Sequence, residues 1–331
     1  MKKTLYTTAL LSAAAFTILS AAAIAGDHGV KRNARVAGRV FPERSDDLSW
    51  ENELVGFRLY GPATQKKGER AFGYDIFFKY PDRGLVLELL YGPETNPLTW
   101  EIRDSLLTLS PELAERYVST FSYHLDHGLG MDPYPVGPTL GAGVCALLSK
   151  EGEILFPWCY SDVEILENGP DRFTAHLTFA PEERNGDTLT EHRLISLEAG
   201  SHLNRTKVWY EGQTRPHSYI IGFPRCDNSE AMLDSISGCI AYADPTDKRP
   251  GNTAMLGLVF ENPMKNYGER GGHISATGTA APGDTITYNW GFTWPKSDID
   301  NMDDWKNYLL SVASARKSKC RAERENGKCT R

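Results

Sequence analysis

From Trp50 onward, apolar and polar residues alternate with a period of two, the pattern of half-buried strands. Leu54-Val55-Gly56-Phe57-Arg58-Leu59-Tyr60 alternates and stops at Gly61-Pro62, a turn signal. Phe72 to Tyr80 is a second such run, closed by Pro81-Asp82-Arg83-Gly84. Further strands are expected at Cys145–Leu148 with Glu153–Phe156, and at Asp162–Leu166 with Phe173–Phe179. The clearest hairpin joins Leu189–Leu197 to Leu203–Tyr210. Ser218–Phe223, Ala254–Phe260, His273–Thr277 and Thr285–Trp294 complete the set. Helical spacing occurs in two places. Leu113, Ala114 and Tyr117 follow a Ser110-Pro111 opening that suits an N-cap with proline at the first helical position, and Trp305, Tyr308, Leu309 and Val312 share one face of 301–315. About a dozen strands with turns at short intervals and two helices predict an all-β chain. The expected fold is a large antiparallel β-sandwich with a short helix near 111–117 and a C-terminal helix.

The ends add compartment and boundaries. Lys2 and Lys3 precede an apolar stretch, Leu5 to Ala23, and Ala23-Ile24-Ala25 fits a small-x-small cleavage site. Residues 1–25 are therefore read as a signal peptide and the mature protein as exported, periplasmic or extracellular, with no membrane insertion after signal removal. Residues 26–48 form a polar lead in which Val36, Val40 and Phe41 hint at one strand. Residues 49–315 form a single sandwich domain, and 316–331 a polar tail. Six cysteines form three close couples, and neighbour pairing (145–159, 226–239, 320–329) is expected, with the last stapling the tail. None has C-x-x-C spacing, which argues against a zinc ribbon. A net charge of −7 without a basic stripe argues against a nucleic-acid partner.

Chemistry concentrates at Tyr123-His124-Leu125-Asp126-His127-Gly128, continuing to Asp132 and Tyr134. Two imidazoles beside carboxylates and tyrosines, with few large apolar residues between them, suit a site better than a core. H-x-D-H also offers ligands to a divalent metal through His124, Asp126 and His127, with His217 or Asp132 as a fourth. That spacing matches no named metal motif, so a cofactor-free site is favoured and the metal kept as an alternative. Period two puts Arg58 and Tyr60 opposite Val55, Phe57 and Leu59. With Asp75 and Lys79 they would make either a solvated face or one that grips a sugar acid through arginine. His217, after Arg215-Pro216, and His273, after Gly271-Gly272, would point into a cleft from strand starts; His192 and His202 would lie on the outer or turn side of their hairpin. Tyr288, Trp290, Phe292 and Trp294 share one face, mostly as core, with Trp294 expected to be exposed as a stacking platform for sugar rings. No G-x-S-x-G elbow and no P-loop is present.

The blocks Trp50-Glu51-Asn52, Phe57 to Pro62, Tyr74-Asp75-Ile76 and Tyr123-His124 through Val136-Gly137 resemble domain of unknown function 4861. The resemblance covers nearly the whole mature chain. It implies a sandwich similar to galactose mutarotase and some polysaccharide lyases, and dehydratase activity on terminal uronic acids of oligosaccharides. The residues supply candidates for such a lyase: His124 or His127 as base, Asp126 to orient it, Arg58 with Lys79 to hold the carboxylate, and Tyr60 or Tyr134 as acid. Asp75, Asp132, His217, His273 and Trp294 would contact the sugar. The alternative is a sugar-binding or mutarotase/epimerase-like protein of the same fold.

Overall fold

The computed structural model describes residues 34–226 and 229–325; the expected signal peptide lies outside them. A nine-stranded antiparallel sheet runs in the order Ala231–Asp234, Cys239–Asp244, Ala254–Phe260, Ile286–Thr293, Leu203–Glu211, Asp187–Glu198, Arg172–Thr178, Asp162–Asn168, with Glu182–Arg184 beside Asp187–Glu198. Two five-stranded sheets pack on one of its faces. The first is Val36–Phe41, Asp47–Asn52, Gly56–Leu59, Asp75–Lys79 and Gly130–Met131. The other is Lys265–Arg270, His273–Ala280, His217–Pro224, Cys145–Leu148 and Ile154–Leu155. The fold is thus a large antiparallel β-sandwich, and its first sheet begins at Val36, within the segment expected to be a lead.

Alternation decides what fills the sandwich. Trp50, Phe57, Leu59, Ile76 and Phe78 of the first sheet meet Phe173, Leu197, Tyr288, Trp290 and Phe292 of the large one in a single core. Tyr74 stacks on Trp290 at 3.9 Å, and Trp50 donates from Nε1 to Asn204 at 2.7 Å. A buried ring of this size removes roughly 150–250 Å² from water. At about 25 cal/mol per Å² that contributes about 4–6 kcal/mol before the entropy of ordering it.

Helices are more numerous than the sequence pattern predicts. Besides the expected Pro111–Val118, short helices span Pro62–Lys66, Leu87–Thr95 and Pro97–Leu107. Pro93 and Gly92 inside Leu87–Thr95 look like a turn in sequence, and only Leu87, Leu90 and Tyr91 of that helix are buried. Asn96 and Ser110 cap the next two helices through their side chains, each followed by proline. The first of these helices and the loop after the last cover the outer face of the first sheet, where Phe41, Phe77, Leu87, Leu90, Tyr91 and Tyr123 form a second core.

The C-terminal helix, Met302–Glu325, outruns the expected 301–315 and includes the first part of the expected tail. It lies on the outer face of the large sheet over Cys239, Ala241, Met255 and Val259. A Cβ on Gly257 would stand 2.7 Å from atoms of both Trp305 and Leu309, so glycine there allows the helix to dock. Its docking buries His202, which bonds Asp298 at 2.9 Å, contrary to the outer position expected. His192 does lie on the outer face, in a cluster of three near-parallel rings with His176 and Trp209.

Two expected disulfides are not formed. Cys145, Cys159 and Cys239 are free thiols. Cys239 faces the C-terminal helix, whereas the Cys226 amide bonds the hydroxyl of Tyr242, a core residue on the opposite face of the same sheet. The expected Cys320–Cys329 pair includes Cys329, which lies outside the described residues.

Candidate functional site

The outer face of the first sheet carries charge at buried positions. Arg58 lies directly across from Asp75 in the antiparallel register and from Ser49 on its other side. Its Nε donates to Asp75 at 2.9 Å, and its Nη2 reaches Asp75, Asp132 at 2.7 Å and the Tyr60 hydroxyl at 3.0 Å. Tyr60 donates in turn to Asp75 at 2.9 Å. Burial, together with the neighbouring Asp132 charge and against the pull of Arg58, raises the Asp75 carboxyl to about 7. Burial also pushes the Tyr60 phenol well above its ordinary range.

A cavity of about 440 Å³ opens over this network, lined by Arg44, Arg58, Tyr60, Glu69, His124, Asp132, Tyr134, Asp247 and Arg249 together with backbone of 133–137. The loop that carries His124 and Asp132 is pinned where Gly130 crosses the strand Asp75–Lys79. A Cβ there would meet the Phe78 carbonyl at 1.8 Å, and its φ of +116° suits glycine. Asp132 then closes onto Tyr123, amide to carbonyl, at 2.8 Å. His124 is exposed and holds its Nδ1 3.0 Å from the Asp132 carbonyl and 3.7 Å from its carboxylate. A carbonyl only accepts, so Nδ1 carries the proton and Nε2 is left as the basic nitrogen facing solvent. Tyr134 is buried, and its hydroxyl makes no hydrogen bond of good geometry.

The arginines differ in their occupation. Arg58 is spent on two carboxylates, while Arg249 pairs with Asp247 at 2.9 Å. Arg44 is half-buried, gives two hydrogen bonds to the neutral Tyr123 hydroxyl at 3.1 and 2.8 Å, and lies 3.6 Å from Asp47. Of the three, its carboxylate contact is the longest, Asp47 at 3.6 Å against 2.9 Å or less for the other two.

Arg58, Tyr60, His124, Asp132 and Tyr134 are thus brought to one pocket, with Asp75 beneath it. Other expected site residues lie elsewhere. Asp126 does not orient His124: it accepts from Tyr80 at 2.6 Å and Lys296 at 3.3 Å. Burial would raise its pKa, but those bonds hold it below the ordinary value. His127 is exposed on the same turn, away from the pocket lining. Lys79 is buried against Glu51, which also receives the first amides of the helix Leu87–Thr95, so the pair ties that helix to the sheet. His217 is buried 2.9 Å from Asp187, and His273 accepts from the Leu140 amide at 3.2 Å; neither reaches a cleft at this pocket. Trp294 is wholly buried, stacked on Phe78 at 4.6 Å with Nε1 donating to the Lys79 carbonyl, so it offers no platform. Among the described residues no three His, Cys, Asp or Glu side chains converge to hold a metal. Arg44, Glu69, Asp247 and Arg249 were not anticipated. They come from turns and loops whose polar residues carry no periodic signal.

The family model described as domain of unknown function 4861 matches residues 22–321. A curated relative, an uncharacterized protein named P7 from Formosa agariphila, is 26% identical over 303 residues, covering 86% of this chain and 69% of its own length. Among solved structures, the GH36 alpha-galactosidase AgaB from Geobacillus stearothermophilus aligns over 79% of this chain with a TM-score of 0.35 and 10% identity. The GH36 alpha-galactosidase AgaA of the same organism, in complex with raffinose, aligns over 72% with a TM-score of 0.32 and 8% identity. The chain spans only about two fifths of those enzymes, 41% and 39% of their lengths.

Proposed function

The chain belongs to the family described as domain of unknown function 4861, and we propose that its pocket binds the uronic acid end of an oligosaccharide and eliminates water, or a glycosidic leaving group, across C4–C5. The observation that supports this most is the convergence of an exposed imidazole base, an arginine whose one carboxylate contact is long and two buried phenols on one cavity of about 440 Å³.

The roles follow from geometry. Arg44 receives the substrate carboxylate, because Arg58 is already neutralised by Asp75 and Asp132. Neutralising that carboxylate acidifies the C5 proton beside it. His124 Nε2 takes the proton, the C5 electron pair forms the C4=C5 bond, and the C4–O bond breaks. Tyr60 gives its proton to the departing oxygen, which leaves as water. Asp75, bonded to Tyr60 and half-protonated near pH 7, returns a proton to the phenolate. Asp132 is a positioning residue for both His124 and Arg58.

Uronic-acid oligosaccharides incubated with the purified protein should yield a product lighter by one water that absorbs as a conjugated enoate. His124→Asn should lower kcat by roughly 10²–10⁴-fold, the usual contribution of a positioned base. An unchanged mass with altered anomeric or C5 configuration would turn the reading toward an epimerase, and saturable binding with no product toward a sugar-binding protein. Full activity of His124→Asn would remove His124 from the mechanism.

A further inference from the structure

A second cavity, of about 330 Å³, lies on the other side of the segment that carries Tyr60. Its lining includes Pro62 and Gln65 of the helix that follows Tyr60, and Leu147, Leu189 and Phe179 from the sandwich. The segment 60–72 therefore stands between the two cavities: Phe72, at its end, donates from its amide to Gly137 of the first and supports the aromatic rim of the second.

That rim is Trp158, 41% exposed in a chain whose other large rings are mostly buried. It is held edge-on against Phe72 at 5.7 Å, and Phe72 is backed by Phe156 at 5.5 Å. An exposed indole braced this way is a fixed apolar plate rather than a loose side chain. At the floor are Tyr210 and Glu191. Tyr210 is 93% buried by its 7% exposure, and its hydroxyl makes no hydrogen bond of good geometry although Glu191 lies alongside it. Glu191 is fixed by the fully buried Arg193.

Most charges in the wall are paired. Arg184 pairs with Glu182 and donates to the Phe156 carbonyl, and Glu191 pairs with Arg193. The cavity therefore offers an aromatic plate, apolar walls and buried hydroxyl-matching groups, and exposed Lys66 is the one lining charge outside these pairs. These are the needs of a neutral sugar ring, whose C–H face stacks while its hydroxyls bond at the far end.

We propose that this cavity is a second binding site, for a neutral pyranose residue stacked on Trp158 and hydrogen-bonded to Tyr210 and Glu191. It stands whether or not the first pocket is a lyase site.

The test is calorimetric titration of the full protein with methyl glycosides of neutral hexoses, 6-deoxyhexoses and pentoses, and with glucuronate for the first pocket. At least one neutral glycoside should bind saturably. Trp158→Ala should weaken it roughly tenfold or more, and Tyr210→Phe roughly 2- to 10-fold. His124→Asn should leave it unchanged, and Trp158→Ala should leave glucuronate binding unchanged. Because Trp158 is a rim residue, its variant should melt with the parent; if it does not, Tyr210→Phe gives the comparison. No binding of any neutral glycoside, or equal binding by wild type and both cavity variants, would overturn the proposal.

Discussion

Replacing Arg44 by methionine and Arg58 by methionine should give opposite phenotypes, although both arginines line one pocket. Arg58 is 2% exposed and joined to two carboxylates that are themselves buried. Removing it leaves Asp75 and Asp132 without their cation, and breaking a buried pair in this way costs roughly 3–5 kcal/mol. Against a domain stability of about 5–15 kcal/mol, Arg58→Met should fold poorly or melt far below the parent. Arg44 is half-buried, and its partners are a neutral hydroxyl at 2.8 Å and a carboxylate at 3.6 Å. Its loss removes the longer pair to buried Asp47 and should cost about 1–3 kcal/mol of stability, less than the loss of Arg58. What Arg44→Met should lose is the charge-assisted bond to the substrate carboxylate, about 1.5–3 kcal/mol, or roughly 10- to 150-fold in kcat/KM. Guanidinium denaturation and steady-state kinetics on a uronic-acid oligosaccharide read the two effects separately. An Arg44→Met enzyme with unaltered kcat/KM would refute the assignment of the carboxylate to Arg44. A stable Arg58→Met protein with a raised KM would return that role to Arg58.

Asp75 keeps its proton in the folded protein up to about pH 7, against an ordinary value of 3.8, so the folded state holds the extra proton between the two. Its contribution to stability is therefore present below about pH 4 and lost as pH rises to about 7; Asp75→Asn should flatten that slope in denaturation midpoints taken at pH 5 and pH 8, and a slope identical to wild type would sink the assignment. Trp294→Ala should cost roughly 3–5 kcal/mol, as for a large ring removed from a packed core, while Trp294→Phe should retain substrate KM; a raised KM in the folded Phe variant would restore a sugar contact. Peptide mapping without reductant should find Cys145, Cys159 and Cys239 as thiols, reactive only after denaturation because burial raises each; a 145–159 or 226–239 cross-link would contradict the packing.

Period-two alternation told where the strands are and which residues share a side, and the structure follows it at Phe57/Leu59 against Arg58 and along Tyr288–Trp294. It does not tell what covers each side. The polar side of Gly56–Leu59 looked like a solvated surface or an open face, and it is buried because Leu87–Thr95 and the 119–137 loop close over it. That helix escaped notice because Gly92-Pro93 interrupts it and its apolar residues touch only one small core. The same blindness misplaced Trp294: the end of a strand suggested exposure, but the Lys79 carbonyl and Phe78 ring of a neighbouring sheet enclose it.

Site chemistry was legible to the extent that it was local. The density of histidine, tyrosine and aspartate at 123–134 marked the loop, and that loop does form the pocket wall. Which carboxylate serves His124 was not legible, because Asp126 is nearer in sequence while the turn from Tyr123 to Asp132 brings the later residue back onto the ring. Arg44 and Asp132 arrive from segments far apart in the chain, and sheet pairing explains why they meet. Gly56–Leu59 lies between Asp47–Asn52 and Asp75–Lys79, so the turn before the first of these and the loop paired to the last both end over Arg58. A buried Arg58 neutralised by Asp75 and Asp132 then acts as the fixed base of the pocket, and in the proposed reading binding of an acid falls to Arg44 above it, whose contact with Asp47 is longer than those that occupy Arg58.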